Sequence, residues 1–101
     1  MTDLEMNFHK DMIRICERAK KECGYVATRF LRMINEKGGL MAAKQLIAKE
    51  GGTDGFATLW EHGRLDLSVE ALVLQERYHA LFTDEERELC RKRLLEYGYQ
   101  I

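Results

Sequence analysis

The 101-residue chain contains no proline. No helix is therefore interrupted by a missing amide, and no polyproline linker divides the chain into separate units. No apolar run approaches the roughly 18 residues that a membrane span needs, so no membrane partner is expected. The opening residues, MTDLEMNFHKDM, carry acids and lack an apolar centre, which argues against a secretory signal. Three cysteines cannot all pair, and none stands in a Cys-x-x-Cys. Reduced thiols in a cytoplasmic protein are the expectation that follows.

What is present is ordinary for a globular protein: 46% hydrophobic and 33% charged residues. A chain of this length makes one domain and buries about two-thirds of the surface its unfolded form exposes. The net charge of −1 conceals an asymmetry. Residues 1–49 hold ten Lys/Arg against six Asp/Glu, whereas residues 50–101 hold six against eleven. Such a division is compatible with one basic and one acidic face, and also with ordinary solvated helices.

With proline absent, glycine supplies the punctuation, and between glycines the apolar period is helical. Residues 3–22 read as a first amphipathic helix with Leu4, Phe8, Met12, Ile15 and Ala19 on one stripe. Lys10, Arg14, Arg18 and Lys21 fall on another, and Gly24 is placed to end the helix. VATRFLRMINEK predicts a second helix burying Val26, Phe30, Met33 and Ile34. Gly38-Gly39 turns into a third, LMAAKQLIAKE, with Leu40, Ala43, Leu46 and Ile47 inward, ended by Gly51-Gly52. Thr53 is placed to cap a short helix through Trp60 that Gly63 ends.

The stretch LWEHGRLDLSVEALVL alternates apolar and polar residues at Leu65, Leu67 and Val69, as a strand would. No second strand exists to pair with it. The better parse is a corner, extended across residues 64–67 with Leu65 and Leu67 inward, after which Ser68 caps the next helix and Glu70 sits in its first turn. Thr83-Asp84-Glu85-Glu86 is a capping box that starts the last helix, with Leu89, Cys90, Leu94 and Tyr97 as its buried stripe. The fold expected is all-α: one compact bundle of about five to six helices, with an extended corner near residues 64–67.

Tests for chemistry are mostly negative. His9, Cys16 and Cys23 are spaced by seven, which separates neighbours by about 10.5 Å along a helix, too far for one zinc whose ligands lie about 2.0–2.3 Å away. No metal and no cofactor is expected. No Cys or His stands in a nucleophile motif, and a free buried cysteine behaves as a small hydrophobe. GGTDGF lacks the Lys-Ser/Thr of a phosphate loop. A helix-turn-helix centred on Gly38-Gly39 fails in both registers, because Ile34 or Asn35 and Lys44 or Gln45 occupy positions that want small and apolar residues.

The segments TRFLRMI, GG, AAKQLI, GFATLWEHGRLDLSVEALVL, YHALFTDEE, CRKRL and YGY together resemble a small all-helical bacterial module of uncharacterised activity. That module occurs alone or appended to larger chains, some with nuclease or other defence-related domains. The resemblance covers roughly residues 25–99. Its least generic parts are Thr28-Arg29-Phe30-Leu31, Gly63 to Leu74 and Leu81-Phe82-Thr83. Residues 1–24, the N-terminal amphipathic helix, lie largely outside it. The resemblance implies an accessory or interaction unit in bacterial or phage DNA-centred conflict, and it carries over no catalytic residue.

The leading expectation is a non-enzymatic domain that binds a protein partner through Trp60, Glu61, His62 and Arg64, since exposed Trp and Arg often dominate interfaces. The alternative is nucleic-acid binding by Lys10, Arg14, Arg18, Lys21, Arg29 and Arg32. A small enzyme is a third class, for which Trp60, His62, Asp66 and Glu70 gathered in one pocket would be the first support. Self-association stays open, because one heptad echo of mixed residues is no coiled-coil seam.

Overall fold

The computed structural model describes residues 2–48 and 55–99. These form an all-α domain without strands. The helices are α1 (Asp3–Cys23), α2 (Thr28–Lys37), α3 (Gly39–Ile47), α4 (Phe56–Glu61), α5 (Val69–Val73) and α6 (Asp84–Glu96). A 3-10 turn, Leu65–Leu67, precedes α5, and a 3-10 helix, Glu76–Leu81, follows it. The termination predicted at Gly51-Gly52 and the cap predicted at Thr53 lie outside the described residues.

The helix ends follow capping chemistry. The Thr83 hydroxyl accepts the Glu86 amide at 3.1 Å, and the Glu86 carboxylate accepts the Thr83 amide at 2.9 Å. Ser68 caps α5 by accepting the Ala71 amide at 3.1 Å. Gly24 ends α1 in the left-handed region at φ 69°, with its amide donating to the Lys20 carbonyl at 3.1 Å.

Packing places α5 at the centre, in contact with α1, α3 and α6. The larger core joins Phe8, Met12 and Cys16 of α1 to Phe30, Ile34, Ala42, Ala43, Leu46, Ile47, Val69, Leu72, Val73, Tyr78, Phe82 and Cys90. Phe8 meets Tyr78 and Phe82 edge-on, with ring centres 5.0 and 5.3 Å apart. A second cluster at the other end gathers Ala19, Phe56, Leu59, Leu65, Leu67 and Leu94. Between α1 and α3 the backbones almost touch: a Cβ on Gly39 would lie 2.6 Å from the His9 Cα. There the His9 Nδ1 accepts the Gly39 amide at 2.8 Å, so a side chain of α1 caps α3.

Four expectations need correction. The corner at 64–67 exists, with Leu65 and Leu67 buried, but its middle is a 3-10 turn rather than extended chain. With no strand to pair with, the backbone satisfies itself locally, Leu67 donating to Arg64 and Ser68 to Leu65, each at 3.0 Å. Val26 is 57% exposed, because α2 starts only at Thr28 and the helical register does not reach it; Ala27 turns inward instead. Leu89 and Tyr97 are partly exposed at 37% and 38%. The inner face of α6 is rotated onto Arg87, Cys90, Arg93 and Leu94, because both arginines reach backbone carbonyls.

Those arginines tie loops to the core. Arg87 donates to the carbonyls of His79 (2.8 Å) and Phe82 and to the Asp84 carboxylate, closing the corner between the 3-10 helix and α6. Arg93 donates to the Ile47 carbonyl at 2.7 Å, at the end of α3, and lies 3.5 Å from the Glu70 carboxylate. Glu70 was expected as a first-turn acid; it is in that turn, and fully buried.

A second buried carboxylate, Asp11, sits in the middle of α1. It accepts the Tyr78 hydroxyl, Arg77 Nη2 at 2.6 Å and Arg14 Nη1 at 3.2 Å. Burial first, and then the hydrogen bond to Asp11, push the Tyr78 phenol up to about 12.

Candidate functional site

The most distinctive surface lies where α4 meets the end of α6. Phe56 and Trp60, four residues apart, lie on one side of α4. Phe56 is buried, whereas Trp60 is 49% exposed. The Tyr97 ring packs edge-on against both, 4.8 Å from Phe56 and 5.5 Å from Trp60. The Trp60 indole N–H donates to the Tyr97 carbonyl at 3.1 Å, which satisfies a carbonyl at the α6 C-terminus and fixes the ring orientation. Gly63, Leu65, Gly98 and Tyr99 complete a groove of about 250 Å³ beside the two rings.

The four residues expected to bind a protein fare differently. Trp60 lines the groove, and Glu61 follows it in sequence, exposed. His62 is exposed, and its Nδ1 lies 2.9 Å from the Thr58 carbonyl, an oxygen that can only accept, so Nδ1 is the donor of that hydrogen bond. Arg64 is held in an ion cluster: it grips Asp66 with two hydrogen bonds of 3.0 and 3.1 Å and also donates to Glu22 of α1. Arg64 and then Arg18 hold the Glu22 carboxyl below its usual range, and Arg64 does the same to Asp66. Tyr97 and Tyr99 were not among the expected contact residues. The Tyr-Gly-Tyr run that supplies them was visible, but helical register alone assigned Tyr97 to the core.

The basic residues do not stand as one unpaired array. Arg14 pairs with Asp11, and Arg18 pairs with Glu22 at 2.9 Å. Lys10, Lys21, Arg29 and Arg32 are exposed, and Lys10, Lys21 and Arg32 make no ion pair among the described residues. The constellation Trp60, His62, Asp66 and Glu70 is not assembled: the first three are exposed, Glu70 is inside the core, and only Trp60 lines the groove.

Burial raises the thiols of Cys16 and Cys90 to about 12, with Glu17 adding to the first and Glu70 to the second. Both are therefore protonated at neutral pH, which is the wrong state for a nucleophile. Among the described residues no group of three or more His, Cys, Asp or Glu is arranged to hold a metal ion. None of their helices is long and apolar enough to cross a membrane.

No family model, no curated protein and no solved structure matches this chain.

Proposed function

We propose that this domain is a non-catalytic protein-binding unit whose contact surface is the Trp60–Tyr97 groove. The observation that carries the proposal is a tryptophan half exposed yet held in place by a hydrogen bond and a perpendicular ring. An exposed aromatic fixed before binding loses little freedom when a partner arrives, and such residues supply much of the energy of interfaces. Glu61 and His62 follow Trp60 in sequence and are exposed, while Arg64 belongs to the support, locking the Leu65–Leu67 turn to α1.

The test is affinity capture from the source cells with the wild-type chain and with Trp60→Ala, the variant first shown by circular dichroism to be folded. Proteins retained by the wild type and lost by the variant support the proposal. Loss of an interface anchor weakens binding by more than about 30-fold, equivalent to roughly 2 kcal/mol. A capture profile independent of Trp60 refutes it. The bacterial or phage setting suggested by the resemblance adds a context for such a partner, and the proposal stands without it.

Lys10, Lys21 and Arg32, exposed and unpaired among the described residues, favour nucleic-acid binding as a second reading. Phosphate binding falls steeply with salt, so a gel shift at low salt that disappears at high salt supports it, and no shift at low salt removes it.

A further inference from the structure

The two longest helices each present a charged stripe away from the core. On α1 it comprises Lys10, Ile13, Arg14, Glu17 and Lys21; on α6 it comprises Glu85, Glu88, Leu89, Lys92 and Glu96. Both sets have the spacing i, i+3, i+4, i+7 and i+11. Each therefore covers about 100° of arc and about 16.5 Å of helix. Ile13 is half-buried, Leu89 is 37% exposed, and the charged residues of both stripes are all exposed.

The signs of the two stripes are opposed position by position. With the helices side by side and parallel, Glu85 meets Lys10, Lys92 meets Glu17 and Glu96 meets Lys21. Surfaces that face each other are mirror-related, so the i+3 residue of one helix opposes the i+4 residue of the other. Glu88 then meets Arg14, and Leu89 meets Ile13. Every ion gains a partner of opposite sign, and the two apolar side chains fall together. Reversing one helix spoils the match: with Glu96 at Lys10, Lys92 would meet Arg14. We infer that the α6 stripe docks on the α1 stripe of a second copy of this chain.

Both stripes are exposed in the same chain, so the match is met only between copies. Lys10, Glu17, Lys21, Glu85, Lys92 and Glu96 make no ion pair among the described residues. Arg14 and Glu88 pair only with Asp11 and Arg91, three residues away, and exposed pairs of that kind exchange at little cost. Glu85, Glu88, Leu89 and Lys92 border, with Asp84, an open hollow on α6 that receives Ile13. Nucleic acid suits the α1 stripe less well, because its phosphates would meet Glu17, which Lys92 neutralises in the contact between copies. None of these residues lines the Trp60–Tyr97 groove, so the contact is separate from the proposed protein-binding surface.

Each copy carries one stripe of each kind, so the contact is either doubled across a two-fold axis or repeated head to tail. One helix pair is smaller than a stable interface, and the association is accordingly weak and salt-dependent. The experiment is sedimentation of the whole chain up to about 1 mM at low and high salt, above the micromolar range of weak contacts. It is repeated with two charge-reversed variants, Glu85→Lys/Glu96→Lys and Lys10→Glu/Lys21→Glu, each first shown by circular dichroism to be folded. The wild type self-associates at low salt and dissociates at high salt. Either variant alone binds itself on the order of tenfold or more weakly. Mixing the two restores association, because the reversed stripe of each matches the unlike stripe of the other.

A wild-type chain that stays monomeric at low salt overturns the inference. So does association that neither variant weakens, or that the mixture fails to restore. Association lost in Trp60→Ala but kept in both charge-reversed variants makes the groove the self-contact and overturns it too. A monomeric chain that binds a thymidine octanucleotide through Lys10 and Lys21 assigns the α1 stripe to phosphate instead. None of these outcomes decides the partner-binding reading of the groove, which fails when partner capture is independent of Trp60.

Discussion

Replacing Asp11 with alanine should destabilise the domain by about 2–4 kcal/mol, and the structure states where the loss comes from. Asp11 is only 7% exposed and is the acceptor for the Tyr78 hydroxyl, which belongs to a fully buried residue with no other acceptor among the described residues. Stranding that hydroxyl costs about 1–3 kcal/mol, and a hydrogen bond to a charged acceptor contributes about 1.5–3 kcal/mol, two overlapping quantities. The Arg14 and Arg77 side chains, 67% and 59% exposed, add little, because exposed ion pairs contribute about 0–1 kcal/mol each.

Tyr78→Phe leaves the carboxylate with its two arginines and should lose about 1–2 kcal/mol. With both partners removed no group is stranded, so the double variant should lose less than the sum by about 1–2 kcal/mol. Urea denaturation followed by far-ultraviolet circular dichroism measures all four corners of the cycle. At about 4–8 °C per kcal/mol, the melting temperature should fall visibly as well. Additivity within about 0.3 kcal/mol would show that the two side chains do not act as a unit and would refute the reasoning.

Gly39→Ala would place a Cβ 2.6 Å from the His9 Cα, where only a shift of backbone relieves the clash; a loss of about 1–3 kcal/mol is expected in thermal melts, and a neutral result would contradict the close approach of α1 and α3. Stability should also decline in alkali. The Cys16 and Cys90 thiols rise from 9.0 and the Tyr78 phenol from 10.0, each to about 12 in the folded state. Raised values mean the folded state holds those protons more tightly, so the contribution is complete below pH 9 and lost as pH climbs through 12. A melting temperature flat from pH 8 to 12 would be inconsistent with that burial. Finally, a thiol reagent should label half-buried Cys23 promptly and buried Cys16 and Cys90 only on unfolding; simultaneous reaction of all three in the folded chain would disprove the assignment.

Much of the architecture was legible because helices announce themselves through local chemistry. The capping box at Thr83–Glu86, the Ser68 cap and the left-handed Gly24 are all decided within a few residues, and each stands where the pattern placed it. The inner face of α6 departs from its apolar pattern for the opposite reason. Arg87 and Arg93 are drawn inward by carbonyls of His79, Phe82 and Ile47, and no apolar count registers such acceptors. No local pattern marks Asp11 as buried, because its partner Tyr78 is 67 residues away.

The candidate site shows the same division. Trp60 stood out by composition, but its half-exposed setting depends on Tyr97 arriving from α6, 37 residues on. The helical period reports which side of a helix is apolar; it does not report where the helix ends. Tyr97 lies just past that end, as the cap of α6, so register counted it as core.

The cap that His9 places on Gly39 has a consequence for how the domain opens. The first amides of a helix ordinarily exchange with solvent as its end frays. The Gly39 amide is held by a ring from α1, so its exchange requires α1 to leave α3, whatever happens within α3 itself. In deuterium exchange this single N–H becomes a gauge of helix undocking. It reads the free energy of detaching the N-terminal helix separately from that of melting the bundle.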